Sequence, residues 1–152
     1  MEDHHIIIGW NILSVKLIQA IRANGKDEDI ILIDNSLGEL PEMIDKVTYI
    51  KGDAYNQEVL AEAHIQSAKD VIITADPSKE EGEADKYSIM FTIAAKAANP
   101  DVRVITEILT SKQAENAKRV GASSIIKSYE ILGMLMYHQM TGRTAELFKS
   151  VQ

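Results

Sequence analysis

The stretch HHIIIGWNILSV, residues 4–15, decides the fold of this chain. Its three consecutive isoleucines form a run that is apolar on both faces, as in a parallel strand covered by helices on both sides. After Gly9, apolar residues recur at helical spacing from residue 12 to residue 21, and Asn24-Gly25 ends that pattern. A strand, a tight turn and a helix therefore follow one another.

The same alternation of short β-type runs and helical periods continues along the whole chain. The predicted strands are 5–9, 29–34, 47–53, 70–75, 102–108 and 123–128. The predicted helices are 12–24, 37–45, 56–63, 84–98, 111–120 and 129–149, of which the second is weakened by Gly38 and Pro41. Because strands and helices alternate with short links, we predict an α/β fold, a Rossmann-like doubly wound parallel sheet of about six strands.

Composition limits what the chain can do. It has 152 residues, a net charge of −7 and no cysteine. The acidic balance argues against a diffuse nucleic-acid-binding surface, and the missing cysteine excludes thiolate metal sites and cysteine nucleophiles. No apolar run approaches the ~20 residues that span a bilayer, and residues 1–4 lack the layout of a signal peptide. We therefore expect a cytoplasmic protein or the cytoplasmic part of a membrane protein, with no nucleic-acid partner.

The loop after the first strand sits where a dinucleotide-binding fold carries the sequence G-x-G-x-x-G. The three glycine positions read Gly9, Asn11 and Ser14, with the large Trp10 between the first two. Gly9 retains the tight turn, Asn11 adds bulk where a pyrophosphate would approach, and Ser14 is small enough for close packing. Taken alone, the loop is equally consistent with a reduced nucleotide site and with a structural remnant.

Acidic residues end the second and third strands, at the edge where open α/β sheets bind ligands. Asp34, about 25 residues after Gly9, is placed to accept hydrogen bonds from an adenosine ribose, and Asn35 follows it. The alternative is that either residue only caps the next turn. Asp53 and Ala54 come after the third strand, where Asp53 contacts a ligand, caps the helix from residue 56, or does both.

The fourth and fifth strands end in polar residues as well. Thr74 and Ala75 close the fourth strand, and a loop of five carboxylates follows, at positions Asp76, Glu80, Glu81, Glu83 and Asp85. Such a loop either holds a hard cation or forms a solvated helix start. Glu107 lies inside an apolar strand, so its carboxylate needs a cation, a ribose hydroxyl or a proton as partner.

No catalytic set is recognisable. The four histidines lie apart from one another, and no Ser-His-acid grouping can be assembled from them. A nicotinamide enzyme would also need a substrate-binding region, for which the chain has no room. We therefore expect a binding module and not an enzyme, with the cofactor domain of a small NAD(P)-dependent oxidoreductase as the alternative and a receiver-like signalling domain as a third hypothesis.

Several motifs together resemble the RCK domain (regulator of potassium conductance), also called the TrkA N-terminal or KTN domain. They are HIIIGWN at 5–11, LID at 32–34, NPDVRVITEI at 99–108 and AENAKRVGASSIIKS at 114–128. The most specific is GDAYNQEVLAEAHIQSAKDVI at 52–72, which is similar to the family signature GD-x₄-x-L-x-x-A-x-I-x-x-A-x-x-V-I. The GWN form resembles the potassium-channel branch of the family.

The resemblance implies a ligand-sensing regulatory domain below a potassium-channel pore, in which eight such lobes form a gating ring. It implies an adenine nucleotide (NAD(H), ATP, ADP or AMP), calcium, or both, as ligand. The implied cofactor-binding residues are Gly9, Trp10, Asn11, Asp34, Asn35, Asp53, Ala54, Thr74, Ala75, Asp76 and Glu107. Glu107 is also the implied metal ligand, although the calcium-binding members add carboxylates where this chain has Thr74 and Leu109.

The last predicted helix carries more apolar residues than one buried face requires. Three of the six methionines lie in the segment SYEILGMLMYHQMTGRTAELF. One face is expected to pack on the sheet, and the remaining apolar surface indicates a second contact. By the resemblance this is the crossover helix that joins two lobes, so we predict a Rossmann-like lobe at 1–128, a dimerisation helix at 129–152 and a homodimer.

Overall fold

The computed structural model describes residues 1–24, 27–42, 44 and 46–142. The strands are β1 (His5–Ile8), β2 (Ile30–Asp34), β3 (Val47–Lys51), β4 (Asp70–Ile73), β5 (Arg103–Ile108) and β6 (Ser124–Lys127). The helices are α1 (Ile12–Ala23), α2 (Gln57–Glu62), α3 (Glu81–Ala98), α4 (Ser111–Arg119) and α5 (Ser128–Thr141), with a short 3-10 helix at Ile65–Ser67.

The six strands form one all-parallel sheet in the order β3-β2-β1-β4-β5-β6. The order reverses between β1 and β4, where the connections leave in opposite directions and open a crevice at the carboxyl ends of the strands. His5 lies level with Ile30 of β2 and with Asp70 of β4, so these three strands begin at the same height. The predicted Rossmann-like sheet of six strands is confirmed.

The alternation of side chains along β1 divides the core into two layers. Ile6 and Ile8 belong to a buried cluster on the side of α2 and α3, whereas Ile7 packs with Ile18 of α1 on the other side. Each of these four side chains is at most 3% exposed. A run of isoleucines that is apolar on both faces is therefore what a central strand of this sheet requires.

The second and the fourth predicted helices differ from the observed ones. None of the described residues between Asn35 and Lys46 is helical, so the prediction of a helix at 37–45 is wrong for them; Gly38 and Pro41 both disfavour helix propagation. Helix α3 begins at Glu81 and not at residue 84, because the Glu80 carboxylate accepts the amides of Gly82 and Glu83 and caps the helix there.

Helix α5 projects an apolar surface that the sheet does not cover. None of its described residues is fully buried, and Ser128, Leu135 and His138 are half-buried, so the face of α5 towards the rest of the chain is only partly covered. Residues 143–152, which complete the predicted dimerisation helix, lie outside the described residues. The exposed apolar residues of α5 are Tyr129, Ile131, Leu132, Met134, Met136, Tyr137 and Met140.

Within the described ranges, no helix combines the length and the apolar character that crossing a membrane demands.

Candidate ligand-binding site

A cleft of about 500 Å³ opens at the carboxyl ends of β1 to β4, above the point where the strand order reverses. Its volume lies within the range of small-molecule sites. The start of α1 forms one wall and the first half of α3 forms another. The predicted site residues that line it are Gly9, Trp10, Asn11, Asp34, Asn35, Asp53, Ala54, Thr74 and Asp76.

Gly9 makes the tight turn that the sequence predicted. Its φ angle is +101°, a conformation that L side chains rarely adopt. A Cβ atom at this position would also collide with the Thr74 hydroxyl of the neighbouring strand end. The glycine is therefore required both by the backbone and by the close approach of β1 to the end of β4.

The Asn11 side chain forms two sets of hydrogen bonds at the start of α1. Its Oδ1 accepts the Ser14 amide at 3.0 Å, and the Ser14 hydroxyl accepts the Asn11 amide at 2.9 Å, which together form a capping box. Its Nδ2 donates to the Thr74 hydroxyl at 2.9 Å and reaches the Ala75 carbonyl at 3.4 Å. The asparagine side chain therefore bridges the crevice at the position where the second glycine of the motif would leave it open.

Asp34 is held in an internal network. Its Oδ1 accepts the Trp10 amide at 2.9 Å, while Oδ2 accepts the amide and hydroxyl of Ser36 and the Leu37 amide at 2.7–2.9 Å. A carboxylate has roughly four acceptor positions, about two on each oxygen. Asp34 thus caps the turn after β2 through Oδ2, while Oδ1, with one bond, keeps an acceptor position for a ligand hydroxyl.

Asp53 joins the ends of β2 and β3. Its Oδ1 accepts the Asn35 side-chain amide at 2.8 Å. Its negative charge and a hydrogen bond raise the pKa of Tyr55 above the usual value. Asp53 does not cap the following helix, because Asn56 occupies that position and accepts the Glu58 amide at 2.8 Å.

Glu107 and Ala75 support the cleft without lining it. Glu107 is half-buried and its Oε1 accepts the Ala75 amide at 2.7 Å, so its partner is a backbone donor. In the part of the chain that the structure describes, no three His, Asp or Glu side chains converge into a metal site. The structure therefore gives no support to the prediction of Glu107 as a metal ligand.

Three of the five carboxylates after β4 serve separate purposes. Asp76 accepts the amide and the hydroxyl of Ser78 at 2.9 and 2.7 Å, and Glu80 caps α3. Asp85 is fully buried and accepts the amides of Leu109 and Thr110 at 2.8 and 2.9 Å. The interpretation of this loop as a solvated helix start is therefore wrong for Asp85, which is buried and holds the β5–α4 connection against α3.

An aromatic group on the α3 side of the cleft was not predicted. Tyr55 stacks on Phe91 with a centroid distance of 6.3 Å and an interplanar angle of 7°. Tyr87 lies 6.2 Å from Phe91, and the Lys79 Nζ is 4.8 Å from the centroid of the Tyr87 ring. The spacing of four residues between Tyr87 and Phe91 is the one sequence signal that could have indicated a shared helix face.

Residues 5–128 match the family model described as the TrkA-N domain. The chain belongs to this family. The resemblance to the TrkA-N, or RCK, family is thereby confirmed, together with the Rossmann-like fold that it implies.

Several curated relatives of this TrkA-N domain are potassium channel proteins, and another is the putative cation/proton antiporter YbaL of Escherichia coli, 24% identical over 125 residues and covering 82% of this chain and 21% of that protein. The chain is 37% identical over 147 residues to the putative potassium channel protein YugO of Bacillus subtilis, covering 95% of this chain and 44% of that protein. It is 24% identical over 156 residues to the calcium-gated potassium channel TvoK of Thermoplasma volcanium, covering 99% and 44%. The chain thus spans less than half the length of these relatives.

Solved structures share the fold. The GsuK channel bound to NAD superposes with a TM-score of 0.74 at 15% identity, covering 88% of this TrkA-N domain and 23% of that chain. The human SLO3 gating ring superposes with a TM-score of 0.65 at 23% identity, covering 81% and 24%. At these identities the likeness concerns the fold.

Proposed function

We propose that this domain is the cytoplasmic regulatory module of a potassium channel and that it binds an adenine nucleotide in the cleft. The observation that carries the proposal is the position of the cleft: it lies above the strand reversal, bordered by the Gly9 turn and by the carboxylates of Asp34 and Asp53. This is where open parallel sheets bind nucleotides. The potassium-channel relatives and the NAD-bound GsuK neighbour support the same assignment.

Regulation requires that the ligand prefer one arrangement of the assembled domains. The cleft is connected to α5 through a series of contacts. Asp85 in the first turns of α3 accepts the Thr110 hydroxyl at 2.6 Å, and the next residue, Ser111, donates its hydroxyl to Glu130 of α5 at 2.8 Å. A ligand that shifts the start of α3 would therefore act on the orientation of α5.

The partner that we propose for α5 is a second copy of the chain, within a larger gating ring. The exposed apolar residues of α5 extend around several of its sides, and methionines make such a surface adaptable. The gating ring of the human SLO3 neighbour and the channel names of the relatives support an assembly of this kind.

We propose a binding role and no enzymatic one. In an NAD(P)-dependent enzyme the pyrophosphate approaches the loop backbone closely, and here the Asn11 side chain occupies that approach. Calcium remains the competing ligand class, favoured by the calcium-gated relative TvoK. Against it, the carboxylates of the described residues do not converge.

A thermal-shift screen with NADH, ATP, ADP, AMP and divalent cations tests the proposal. Binding to the folded state raises the melting temperature in proportion to the logarithm of ligand concentration over Kd. We expect at least one adenine nucleotide to raise it, and Asp34→Ala to reduce that shift. Asp101→Ala is the matched control, because Asp101 is exposed in the turn before β5, at the opposite edge of the sheet. A shift with calcium and none with any nucleotide would overturn the proposal.

A further inference from the structure

Lys79 is the one basic side chain among the described residues that line the cleft. We infer that its ammonium group binds the phosphates of the ligand, and that the ligand is therefore a nucleoside di- or triphosphate. This inference rests on the proposed function, since it names the class of nucleotide and its orientation in the cleft.

Part of the usual phosphate cradle of this fold is used by the protein itself, because three of the five amides from Trp10 to Ser14 have partners within the chain. In a dinucleotide-binding loop, the free backbone amides at the start of the first helix bind the pyrophosphate. Here the Trp10 amide donates to Asp34 at 2.9 Å, the Asn11 amide to the Ser14 hydroxyl at 2.9 Å, and the Ser14 amide to Asn11 at 3.0 Å. Three amides of the loop thus have partners, and the Asn11 side chain fills the gap above them.

The ammonium group of Lys79 lies beside the cleft, in contact with an aromatic ring and near a carboxylate. It lies 4.8 Å from the centroid of the Tyr87 ring and 4.0 Å from Asp76 Oδ2, and its side chain is 31% exposed. A cation over a tyrosine face is stabilised by the ring quadrupole. The Lys79 amide also donates to the Asp76 carbonyl at 3.3 Å.

The charges of the cleft orient the ligand. Asp34 and Asp53, at the ends of β2 and β3, repel phosphate and accept hydroxyl groups. The β4–α3 side carries Lys79 together with Asp76, whose carboxylate lies 4.0 Å from the ammonium group, so a bound phosphate would compete with Asp76 for Lys79. A nucleotide with its ribose towards the carboxylates then directs its phosphates towards Lys79. Each additional phosphate adds negative charge near this cation, so affinity should increase from AMP to ADP to ATP.

The test measures the affinities of adenosine, AMP, ADP and ATP for the wild-type chain and for Lys79→Gln, by the fluorescence of Trp10, the single tryptophan of the chain. We expect Lys79→Gln to weaken ADP and ATP by about tenfold, the value of one charged hydrogen bond, and to leave adenosine unchanged. Lys79→Arg should retain most of the affinity. Lys112→Gln is the matched control, since Lys112 is exposed on α4 and outside the cleft lining.

The possible results separate this inference from the proposed function. Equal affinities of Lys79→Gln and wild type for ADP and ATP would overturn the role of Lys79 and leave nucleotide sensing intact. An equal loss of adenosine affinity in Lys79→Gln would also overturn it, because Lys79 would then stabilise the cleft itself and would not bind the phosphates. Inorganic pyrophosphate binding as tightly as ADP would overturn the nucleotide as ligand. If the wild-type chain binds none of the four adenine compounds, this inference fails, and the proposed function fails with it when NADH does not bind either.

Discussion

The side-chain amide of Asn11 donates a hydrogen bond to the Thr74 hydroxyl over 2.9 Å, across the crevice between β1 and β4. The Thr74 hydroxyl in turn donates to the Ile8 carbonyl at 2.7 Å. The loop after β1 is thereby fixed to the end of β4 at the point where the strand order reverses. The position that the dinucleotide-binding motif reserves for glycine carries a polar bridge in this chain.

Replacing Asn11 with glycine should change both the stability of the domain and its affinity for NADH, in opposite directions. The substitution removes the bond to Thr74 and most of the helix cap, so we expect the free energy of unfolding to decrease by about 1 kcal/mol. It also opens the loop to a pyrophosphate, so NADH should bind more tightly than to the wild type. Urea unfolding and NADH titration measure the two effects. A loss of NADH affinity would mean that Asn11 is itself a ligand contact.

Asp85 should contribute strongly to stability, although it lies in an acidic segment. It is fully buried, and three donors of Leu109 and Thr110 point at its carboxylate. Asp85→Asn places an amide against some of these donors, and we expect a loss of about 2 kcal/mol or more in the free energy of unfolding. Glu83→Gln, on the exposed side of the same helical turn, should change it by less than about 0.5 kcal/mol. Similar effects of both substitutions in denaturant unfolding would contradict the assignment.

The free energy of unfolding should depend on pH through His5, the first residue of β1. Burial opposes the charge of His5, but hydrogen bonds to Asp70 and Glu28, each 2.6 Å, and their negative charges raise its pKa above 6.5. Because the folded-state pKa is the higher one, the stabilisation is complete below pH 6.5 and is lost as the pH rises through the folded-state pKa.

His5→Gln should therefore reduce the free energy of unfolding most at acidic pH, and the difference from wild type should shrink at higher pH. Unfolding in urea at a series of pH values measures this. His64→Asn is the control, because asparagine tolerates the left-handed backbone of His64, whose φ is 55°. A difference between His5→Gln and wild type that stays constant with pH would count against the charged pair.

The apolar surface of α5 should determine the oligomeric state. Met136 is 71% exposed in the single chain, which leaves it available to a second copy. We expect the domain to be a dimer or larger at high micromolar concentration, and Met136→Glu to shift it towards monomer because a charge would enter the interface. Lys118→Glu, on the exposed side of α4, should leave the mass unchanged in light scattering. A monomeric wild-type chain would contradict the proposed role of α5.

The sequence predicted the elements whose cause is local. Residues 5–9 and 29–34 were predicted as central strands because they are apolar on both faces. Gly9 was predicted as a tight turn because a glycine between a strand and a helix permits backbone angles that other residues avoid. Asn11 was predicted to add bulk at the second glycine position, but its bond to Thr74, 63 residues further along the chain, depends on how β1 and β4 are paired.

The parts that could not be predicted arise from tertiary contacts. Tyr55, Tyr87 and Phe91 come from two segments that meet only when α3 packs beside the end of β3. Asp85 belongs to a run of acidic residues that is mostly exposed, and nothing in that run distinguishes the one carboxylate that reaches the backbone of residues 109 and 110. The position of Lys79 at the cleft could not be predicted from the sequence either, because its ammonium group lies there against the ring of Tyr87.

The most direct test of the central claim is a calorimetric titration of ADP into the wild-type domain. We expect saturable binding with about one site per chain, a simultaneous change in Trp10 fluorescence, and clearly weaker binding in Asp34→Ala but not in Asp101→Ala. If ADP and the other adenine nucleotides release no heat and leave Trp10 unchanged, while calcium binds and raises the melting temperature, the cleft is not a nucleotide sensor.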